Sequence, residues 1–137
     1  MSAPLDVAAL VAAAVLARTR AYAPYSGFAV GAAALSDAGG VYHGCNVENA
    51  SYPATTCAER VALHSAYAAG ERRIVALAVV AATAGPVSPC GVCRQVIAEL
   101  APGCTVILAN TAGDVRLTTP AELLPGAFTP ADLPPRG

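Results

Sequence analysis

Residues 74–82 read IVALAVVAA, a nearly continuous apolar run without a charged side chain. Such a run is typical of a central strand that other elements cover on both faces. The patterns before it predict a helix, a strand pair and a second helix, and those after it predict a helix and two strands. This order predicts an α/β fold, a three-layer α/β/α sandwich around a mixed central sheet of about five strands.

The remaining elements follow from hydrophobic periodicity and from turn-forming residues. A length of 137 residues fits a single domain over residues 1–137. The Pro-rich tail from about Pro125 is expected to be irregular. The patterns predict helices over residues 4–20, 57–69 and 90–100, strands over 28–35, 41–47, 105–109 and 115–117, and a short helix at 119–122.

The composition is unusually apolar, with 55% hydrophobic and 12% charged residues. The longest apolar run near the start covers only residues 7–17, too short for the about 20 residues of a membrane-spanning helix. No basic residue precedes that run, as a signal peptide would require. We therefore expect neither membrane insertion nor export, and we predict that apolar surface is buried between the subunits of a homo-oligomer.

Net charge and cysteine content narrow the classes of function. A formal net charge of −1 argues against nucleic acid as a partner, because a polynucleotide footprint needs a strongly basic face. Five cysteines without an export signal favour a reducing cytoplasm. Metal or catalytic roles for these cysteines are therefore favoured over a disulfide framework.

Two short clusters predict a metal site beside an acid. The first contains Cys57 and Glu59, and the second, Pro89-Cys90-Gly91-Val92-Cys93, contains Cys90 and Cys93. On a helix, Cys90 and Cys93 share one face. Cys57 and Glu59 can face one site only if Cys57 lies at the very start of its helix. Three thiolates and no fourth ligand match a catalytic Zn²⁺ site, which leaves its fourth position to water.

Two arginines follow these motifs directly. Zinc with three thiolates carries a net negative charge, which weakens the metal as a Lewis acid. We hypothesise that the guanidinium groups of Arg60 and Arg94 donate hydrogen bonds to the sulfurs and offset this charge. Two further cysteines, Cys45 and Cys104, lie in strand patterns and are interpreted as small hydrophobic residues.

These residues belong to a longer pattern that resembles the small zinc-dependent cytidine deaminases of the homotetrameric, free-nucleoside type. The matching motifs run from about residue 20 to residue 100 and are APYSGF (23–28), VGAA (30–33), GCNVENASY (44–52), TCAER (56–60) and SPCGVCRQ (88–95). A signature of His or Cys, then Glu, then P-C-x-x-C is typical of zinc deaminases in general. The first ligand in this chain is a cysteine rather than a histidine, and in this feature the chain resembles the nucleoside branch of the family.

The resemblance implies a role for each of these residues. Glu59 would take a proton from the attacking water and pass protons to N3 and to the departing ammonia, with Cys57, Cys90 and Cys93 holding one Zn²⁺ per subunit. The product would be uridine or deoxyuridine, as in pyrimidine salvage. The implied substrate-binding residues are Phe28, Asn46, Glu48 and Ala58, with Tyr52 and Phe128 as aromatic residues that complete the pocket of a neighbouring subunit in a tetramer.

The residues themselves support a nucleoside as the substrate. Asn46 and Glu48 alternate at a strand end and project to one side. Glu48 can accept from hydroxyl groups but would repel a phosphate, and no Arg lies between Tyr42 and Glu59.

Alternative functions remain open at this point. One is a related deaminase for another aminated nucleoside or nucleotide. The other is a non-catalytic zinc module in which Cys45 or Cys104 supplies a fourth ligand.

Overall fold

The structure is a computed structural model that describes residues 4–135. In chain order the principal elements are α1 (Val7–Arg18), β1 (Val30–Ser36), β2 (Val41–Cys45), α2 (Ala58–Ala68), β3 (Ile74–Ala81), α3 (Gly91–Leu100), β4 (Thr105–Asn110), β5 (Val115–Thr118) and α4 (Pro120–Leu123). Two short 3₁₀ turns lie at Tyr52–Ala54 and Pro130–Asp132. Within residues 4–135, every helix is too short or too polar to cross a lipid bilayer.

The five strands form one mixed sheet in the order β2-β1-β3-β4-β5. β1 pairs with β2 and with β3 in antiparallel register, and β4 pairs with β5 in the same way. β3 and β4 are parallel, with α3 as the crossover between them. A parallel pair needs such a crossover because a tight turn reverses the chain and joins only antiparallel strands, so the chain must first return to the opposite end of the sheet. The predicted mixed sheet of about five strands is confirmed.

The central strand β3 contributes to a hydrophobic core on each face of the sheet. Ala76, Ala78 and Val80 pack with Leu10 and Ala14 of α1 on one face. The alternate β3 residues, Leu77 and Val79, pack on the opposite face with apolar residues of α2 and α3, among them Leu63 and Ile97. Since side chains alternate along a strand, the apolar run in β3 packs against the helices on both faces of the sheet. The three-layer sandwich is confirmed.

Two glycines allow helices to approach the sheet closely. A Cβ atom on Gly31 would lie 2.0 Å from the Ala14 carbonyl oxygen of α1. A Cβ on Gly44 of β2 would lie 2.3 Å from the Ala58 carbonyl oxygen at the start of α2. Gly44 therefore fixes the distance between β2 and the first turn of α2, which carries part of the metal site.

The observed boundaries differ from the predicted ones for local reasons. α1 begins at Val7 rather than residue 4, because the Asp6 carboxylate caps it by accepting a hydrogen bond from the Ala9 N–H. β1 begins at Val30 rather than residue 28, because the Asn46 side chain binds the backbone at Phe28 and Val30. Over its described residues, 126–135, the tail contains a single 3₁₀ turn.

Candidate metal centre and substrate cleft

The predicted site residues meet at one edge of the sheet. The carboxyl ends of β2 and β3 lie there beside the start of β1, as the pairing of Gly31 with Cys45 and of Val30 with Ala81 shows. In open α/β sheets, ligands bind outside the carboxyl ends of the strands. The N-termini of α2 and α3 reach the same edge and bring the two cysteine clusters together.

Three cysteine sulfurs form a metal-ligating group. Cys57 is the N-cap of α2, Cys90 is the N-cap of α3, and Cys93 lies in the first turn of α3. Their Sγ atoms all lie within 4.8 Å of one another, and those of Cys57 and Cys90 are 3.8 Å apart. Two sulfurs that bind a tetrahedral zinc at about 2.3 Å lie about 3.8 Å apart. The donor set and its spacing therefore fit Zn²⁺.

The positions of Cys57 and Cys90 at the N-caps of their helices explain how the sequence brings the metal ligands together. Because Cys57 precedes the first helical residue, its side chain and that of Glu59 can reach one site despite a spacing that would oppose them within a helix. Neither Cys57 nor Cys90 caps its helix with a side-chain hydrogen bond. The sulfurs remain available beside helix N-termini, where backbone N–H groups favour thiolates.

The sulfurs are unequal in the absence of metal. Hydrogen bonds from the Cys93 thiol and from Arg60 lower the pKa of Cys57 to about 5, against the opposing effect of burial. The same contact with Cys57, together with burial and the negative charge of Glu59, raises the pKa of Cys93. Cys57 therefore becomes a thiolate before Cys93.

Glu59 is buried beside this group. Its side chain is 4% exposed, and it lines the same cleft as Cys57 and Cys90. Burial raises the pKa of its carboxyl group, and the negative charge of Cys57 raises it further. A carboxyl group with a raised pKa can both accept and donate a proton near neutral pH. These properties suit a proton carrier better than a surface charge.

The two predicted arginine contacts have different outcomes. One Nη of Arg60 donates to Cys57 Sγ at 3.5 Å and to the Thr55 carbonyl oxygen at 3.2 Å, as expected. Its Nε is buried without a hydrogen-bond acceptor within residues 4–135, so its positive charge is available to the thiolates.

The prediction for Arg94 is wrong. Its guanidinium donates to the carbonyl oxygens of Pro89 (2.9 Å) and Leu123 (2.7 Å) and to Ser88 Oγ (2.8 Å). These contacts turn Arg94 away from the sulfurs because the loop and α4 present oxygen acceptors to all three of its nitrogens. Arg94 braces the segment that leads into Cys90.

A cleft of about 270 Å³, the inner cleft, opens over the metal group. It adjoins a second cleft of about 390 Å³, the outer cleft. The second contains the Tyr25 and Tyr52 rings, whose centroids are 6.1 Å apart. Both volumes are of the order of small-molecule sites, about 300–1,000 Å³. The inner cleft is lined by Ser26, Phe28, Val30, Asn46, Glu48, Thr55, Cys57, Ala58, Glu59, Val79, Val87, Ser88 and Cys90.

Six residues were predicted to bind substrate. Four of them line the inner cleft, namely Phe28, Asn46, Glu48 and Ala58, and the other two, Tyr52 and Phe128, do not. Tyr52 lines only the outer cleft and is 72% exposed. Phe128 lines neither cleft and is 56% exposed, with its carbonyl oxygen accepting from Gln95 Nε2.

The polar residues of the cleft already have partners within the chain. The Asn46 amide accepts from the Val30 N–H and donates to the Phe28 carbonyl oxygen, so it orders the strand entry as well as facing the cleft. The Glu48 carboxylate accepts from the backbone N–H groups of Tyr25 and Ser26 and from Ser26 Oγ. These hydrogen bonds lower the pKa of Glu48, with that of the Ser26 hydroxyl as the largest cause.

Several of the lining residues had no role predicted from the sequence. Ser26 lies in the APYSGF motif, and Val87 and Ser88 directly precede Pro89. Their positions within or beside a motif were the sequence signal that could have identified them as lining residues. Val79 lies on β3 and shows no such signal. It reaches the cleft because the sheet places its strand under α2.

The two remaining cysteines do not complete a structural zinc site. Within the described residues, the metal-ligating group comprises Cys57, Cys90 and Cys93. Cys104 is buried in the core at the start of β4, the end of that strand opposite to the site. Cys45 is half-buried on the edge strand β2. A four-cysteine module is therefore not formed.

This fold and this site define a class, a zinc-binding deaminase domain with three cysteine ligands and a buried glutamate. A family model described as the cytidine and deoxycytidylate deaminase zinc-binding region matches residues 6–109. The chain belongs to the cytidine deaminase family.

Relatives match nearly the whole chain. A cytidine deaminase from Sporosarcina psychrophila is 56% identical over 130 residues, covering 94% of this chain and 96% of the relative. One from Halalkalibacterium halodurans is 55% identical over 130 residues, covering 94% and 98%. The crystal structure of cytidine deaminase from Burkholderia pseudomallei superposes with a TM-score of 0.87 at 55% identity, covering 90% of this chain and 100% of that chain.

Proposed function

We propose that this protein catalyses the zinc-dependent hydrolytic deamination of cytidine and deoxycytidine to uridine and deoxyuridine, with release of ammonia. One observation carries the proposal: the buried Glu59 lies beside three cysteine ligands at the base of a cleft. Relatives named cytidine deaminase, at 55–56% identity over most of the chain, support the same reaction.

Zinc, when held by Cys57, Cys90 and Cys93, supplies a nucleophile at neutral pH by lowering the pKa of water. Glu59 takes up the proton that water loses as its oxygen attacks C4 of the pyrimidine. The same carboxyl group delivers that proton to N3, then takes the proton of the new C4 hydroxyl and passes it to the amino group. The C4–N bond breaks, ammonia leaves, and the C4 carbonyl of the uridine product forms.

The surroundings of Glu59 suit this proton transfer. Its burial excludes bulk water, and its raised pKa brings the carboxyl group closer to the operating pH. A general acid–base of this kind contributes typically about 10²–10⁴-fold to the rate. Arg60 holds the Cys57 sulfur and offsets part of the thiolate charge.

The cleft favours a free nucleoside over a nucleotide. Among residues 4–135, those that line the two clefts include the acidic Glu48 and Glu59 and no Lys or Arg. The hydrogen bonds to Glu48 lower its pKa, so the carboxylate is ionised and would repel a phosphate group. We propose that Asn46 and Glu48 bind the sugar hydroxyls and that Phe28 contacts the base.

We further propose a homotetramer with shared active sites. Many large apolar side chains are exposed on the single chain, and aromatic rings stand at the cleft mouth. Tyr52 and Phe128 would then serve the pocket of a neighbouring subunit. The exposed apolar side chains include Val15, Leu16, Tyr22, Phe28, Val47, Tyr52, Val92, Leu117, Phe128 and Leu133.

The requirement for three reduced thiols supports a cytoplasmic location, where reducing conditions preserve them.

Ammonia release from a panel of substrates tests the proposed function. The panel comprises cytidine, deoxycytidine, deoxycytidine monophosphate, cytosine and adenosine, with zinc content measured on the same preparation. We expect the highest kcat/KM for the two pyrimidine nucleosides. Faster turnover of the monophosphate would favour a nucleotide deaminase, and a zinc-loaded protein that releases no ammonia would exclude catalysis.

A further inference from the structure

Ser26 lies where the inner and outer clefts meet. It lines both of them, as do Glu48 and Thr55. It belongs to the turn that leads from α1 into β1, and Gly27, which follows it, adopts a positive φ of 68°. A side chain at this junction can influence how the sugar part of a substrate is held.

We propose that Ser26 is a positioning residue that fixes the Glu48 carboxylate to accept one sugar hydroxyl and couples it to Phe28. This inference rests on the proposed function. Ser26 contacts both residues directly: its hydroxyl donates to Glu48 Oε2 and accepts from the Phe28 N–H at 3.0 Å.

The acceptor capacity of Glu48 limits what it can bind. An ionised carboxylate offers about four lone-pair positions. Oε1 accepts from the N–H groups of Tyr25 (3.0 Å) and Ser26 (3.1 Å), and Oε2 accepts from the Ser26 hydroxyl. One position on Oε2 remains for a ligand. Glu48 is therefore arranged to accept a single hydroxyl.

The two contacts of the Ser26 hydroxyl determine its direction. A serine hydroxyl rotates freely unless partners fix it. Here the Phe28 N–H points at the oxygen, and the Glu48 carboxylate takes the proton. A shift of Glu48 would therefore be transmitted to the backbone of Phe28, whose ring lines the inner cleft and is 44% exposed. Sugar and base recognition are linked through one side chain.

Loss of the hydroxyl should affect substrates according to their sugar. In Ser26→Ala, Oε2 loses its donor while Oε1 keeps both backbone N–H groups, so the carboxylate is free to turn away from the sugar. We expect kcat/KM for cytidine to fall about tenfold, mainly through KM, because the lost interaction is made equally in ground and transition states. The metal group lies on other elements and should retain its zinc.

The decisive experiment compares wild type, Ser26→Ala and Ser26→Thr on cytidine and on 2′,3′-dideoxycytidine, which lacks both ring hydroxyls. The dideoxynucleoside is followed by its kcat/KM, or by its inhibition constant against cytidine if its turnover is too slow. We expect Ser26→Ala to lose at most about threefold on the dideoxynucleoside, through the weaker support of Phe28, against about tenfold on cytidine. Ser26→Thr, which keeps the hydroxyl, should stay near wild type on cytidine. Zinc content serves as the folding control.

Each other outcome is informative. Equal losses of Ser26→Ala on both substrates would mean that Ser26 only stabilises the turn, and unchanged cytidine KM would mean that it has no role; either result overturns the inference alone. A zinc-loaded wild type without cytidine turnover would overturn the proposed function as well.

Discussion

The Sγ atoms of Cys57 and Cys90 lie 3.8 Å apart although 33 positions separate the two residues. Each is the N-cap of its own helix, and the helices pack on the same face of the sheet. The distance equals the edge that two sulfurs form around a tetrahedral zinc, about 3.8 Å. The fold therefore arranges the metal ligands through the placement of two helix termini.

Glu59→Gln should separate catalysis from metal binding. The amide keeps the shape of the side chain but cannot accept the proton of the attacking water, so we expect kcat to fall by about 10²–10⁴-fold or more. Zinc content and thermal stability should stay close to wild type. Glu99→Gln, on an exposed position of α3, is the matched control and should remain active. A Glu59→Gln variant with near-normal turnover would refute the assigned role.

Arg60→Ala and Arg94→Ala should have different effects. Removal of Arg60 takes a charge-assisted donor from the Cys57 sulfur, worth about 1.5–3 kcal/mol, and should lower kcat more than it lowers zinc content. Removal of Arg94 breaks two contacts with the loop before Cys90 and one with α4, and should lower the melting temperature and zinc retention first. Metal analysis, kinetics and thermal denaturation distinguish the two. Unchanged turnover in Arg60→Ala would contradict its electrostatic role.

Removal of the metal should reveal unequal cysteines. In chelated protein, the pKa of Cys57 is lowered to about 5, so at pH 7 it is a thiolate, and it remains one until the pH falls toward 5. Burial raises the pKa of Cys104 to about 12, so it stays a protonated thiol up to strongly alkaline pH.

Brief alkylation at pH 7 followed by peptide mass spectrometry should therefore label Cys57 and spare Cys104 in the folded apoprotein. Zinc-loaded protein, treated in parallel, should protect Cys57. Labelling of Cys57 that is unaffected by zinc would exclude it from the ligand set.

Gly44→Ala should displace the metal-bearing helix. The added Cβ would lie 2.3 Å from the Ala58 carbonyl oxygen and 2.5 Å from the Ala62 N, both in the backbone of α2. Overpacking of this kind costs typically about 1–3 kcal/mol, and here the backbone must move. We expect a lower melting temperature together with reduced zinc content. Gly103→Ala, where nothing lies within 4 Å of the new Cβ, should leave both unchanged.

Phe128 tests the proposal that neighbouring subunits share their active sites. It lines neither cleft of its own chain, so an effect of Phe128→Ala on KM for cytidine would have to come from a neighbouring subunit. We expect KM to rise severalfold, with light scattering on wild type giving four chains per particle. Leu133→Ala, at an equally exposed position of the same tail, is the control. A fully active monomer would contradict the shared site.

Local spacing explains why the metal ligands could be predicted. Cys90 and Cys93 lie three positions apart at a helix start, and Cys57 could meet Glu59 only at a helix terminus, so few arrangements were possible. Both helices begin directly after these cysteines. The central strand was likewise evident, because an apolar run over residues 74–82 requires cover on both faces.

Long-range contacts account for what the sequence did not reveal. Arg94 bonds to Leu123, which lies 29 positions away, and no local pattern indicates that α4 packs there. Asn46 reaches Phe28 across 18 positions because the β1–β2 register brings them together. The partners of a polar side chain are decided by such pairings, and a motif alone does not contain them.

The central claim is that zinc in this protein has three sulfur ligands and one position free for chemistry. X-ray absorption spectroscopy at the zinc edge of the purified holoprotein measures this directly. We predict three sulfur neighbours at about 2.3 Å and one lighter neighbour at about 2.0 Å, a shell that changes when a substrate analogue binds. A shell of four sulfurs, indifferent to the analogue, would contradict the account.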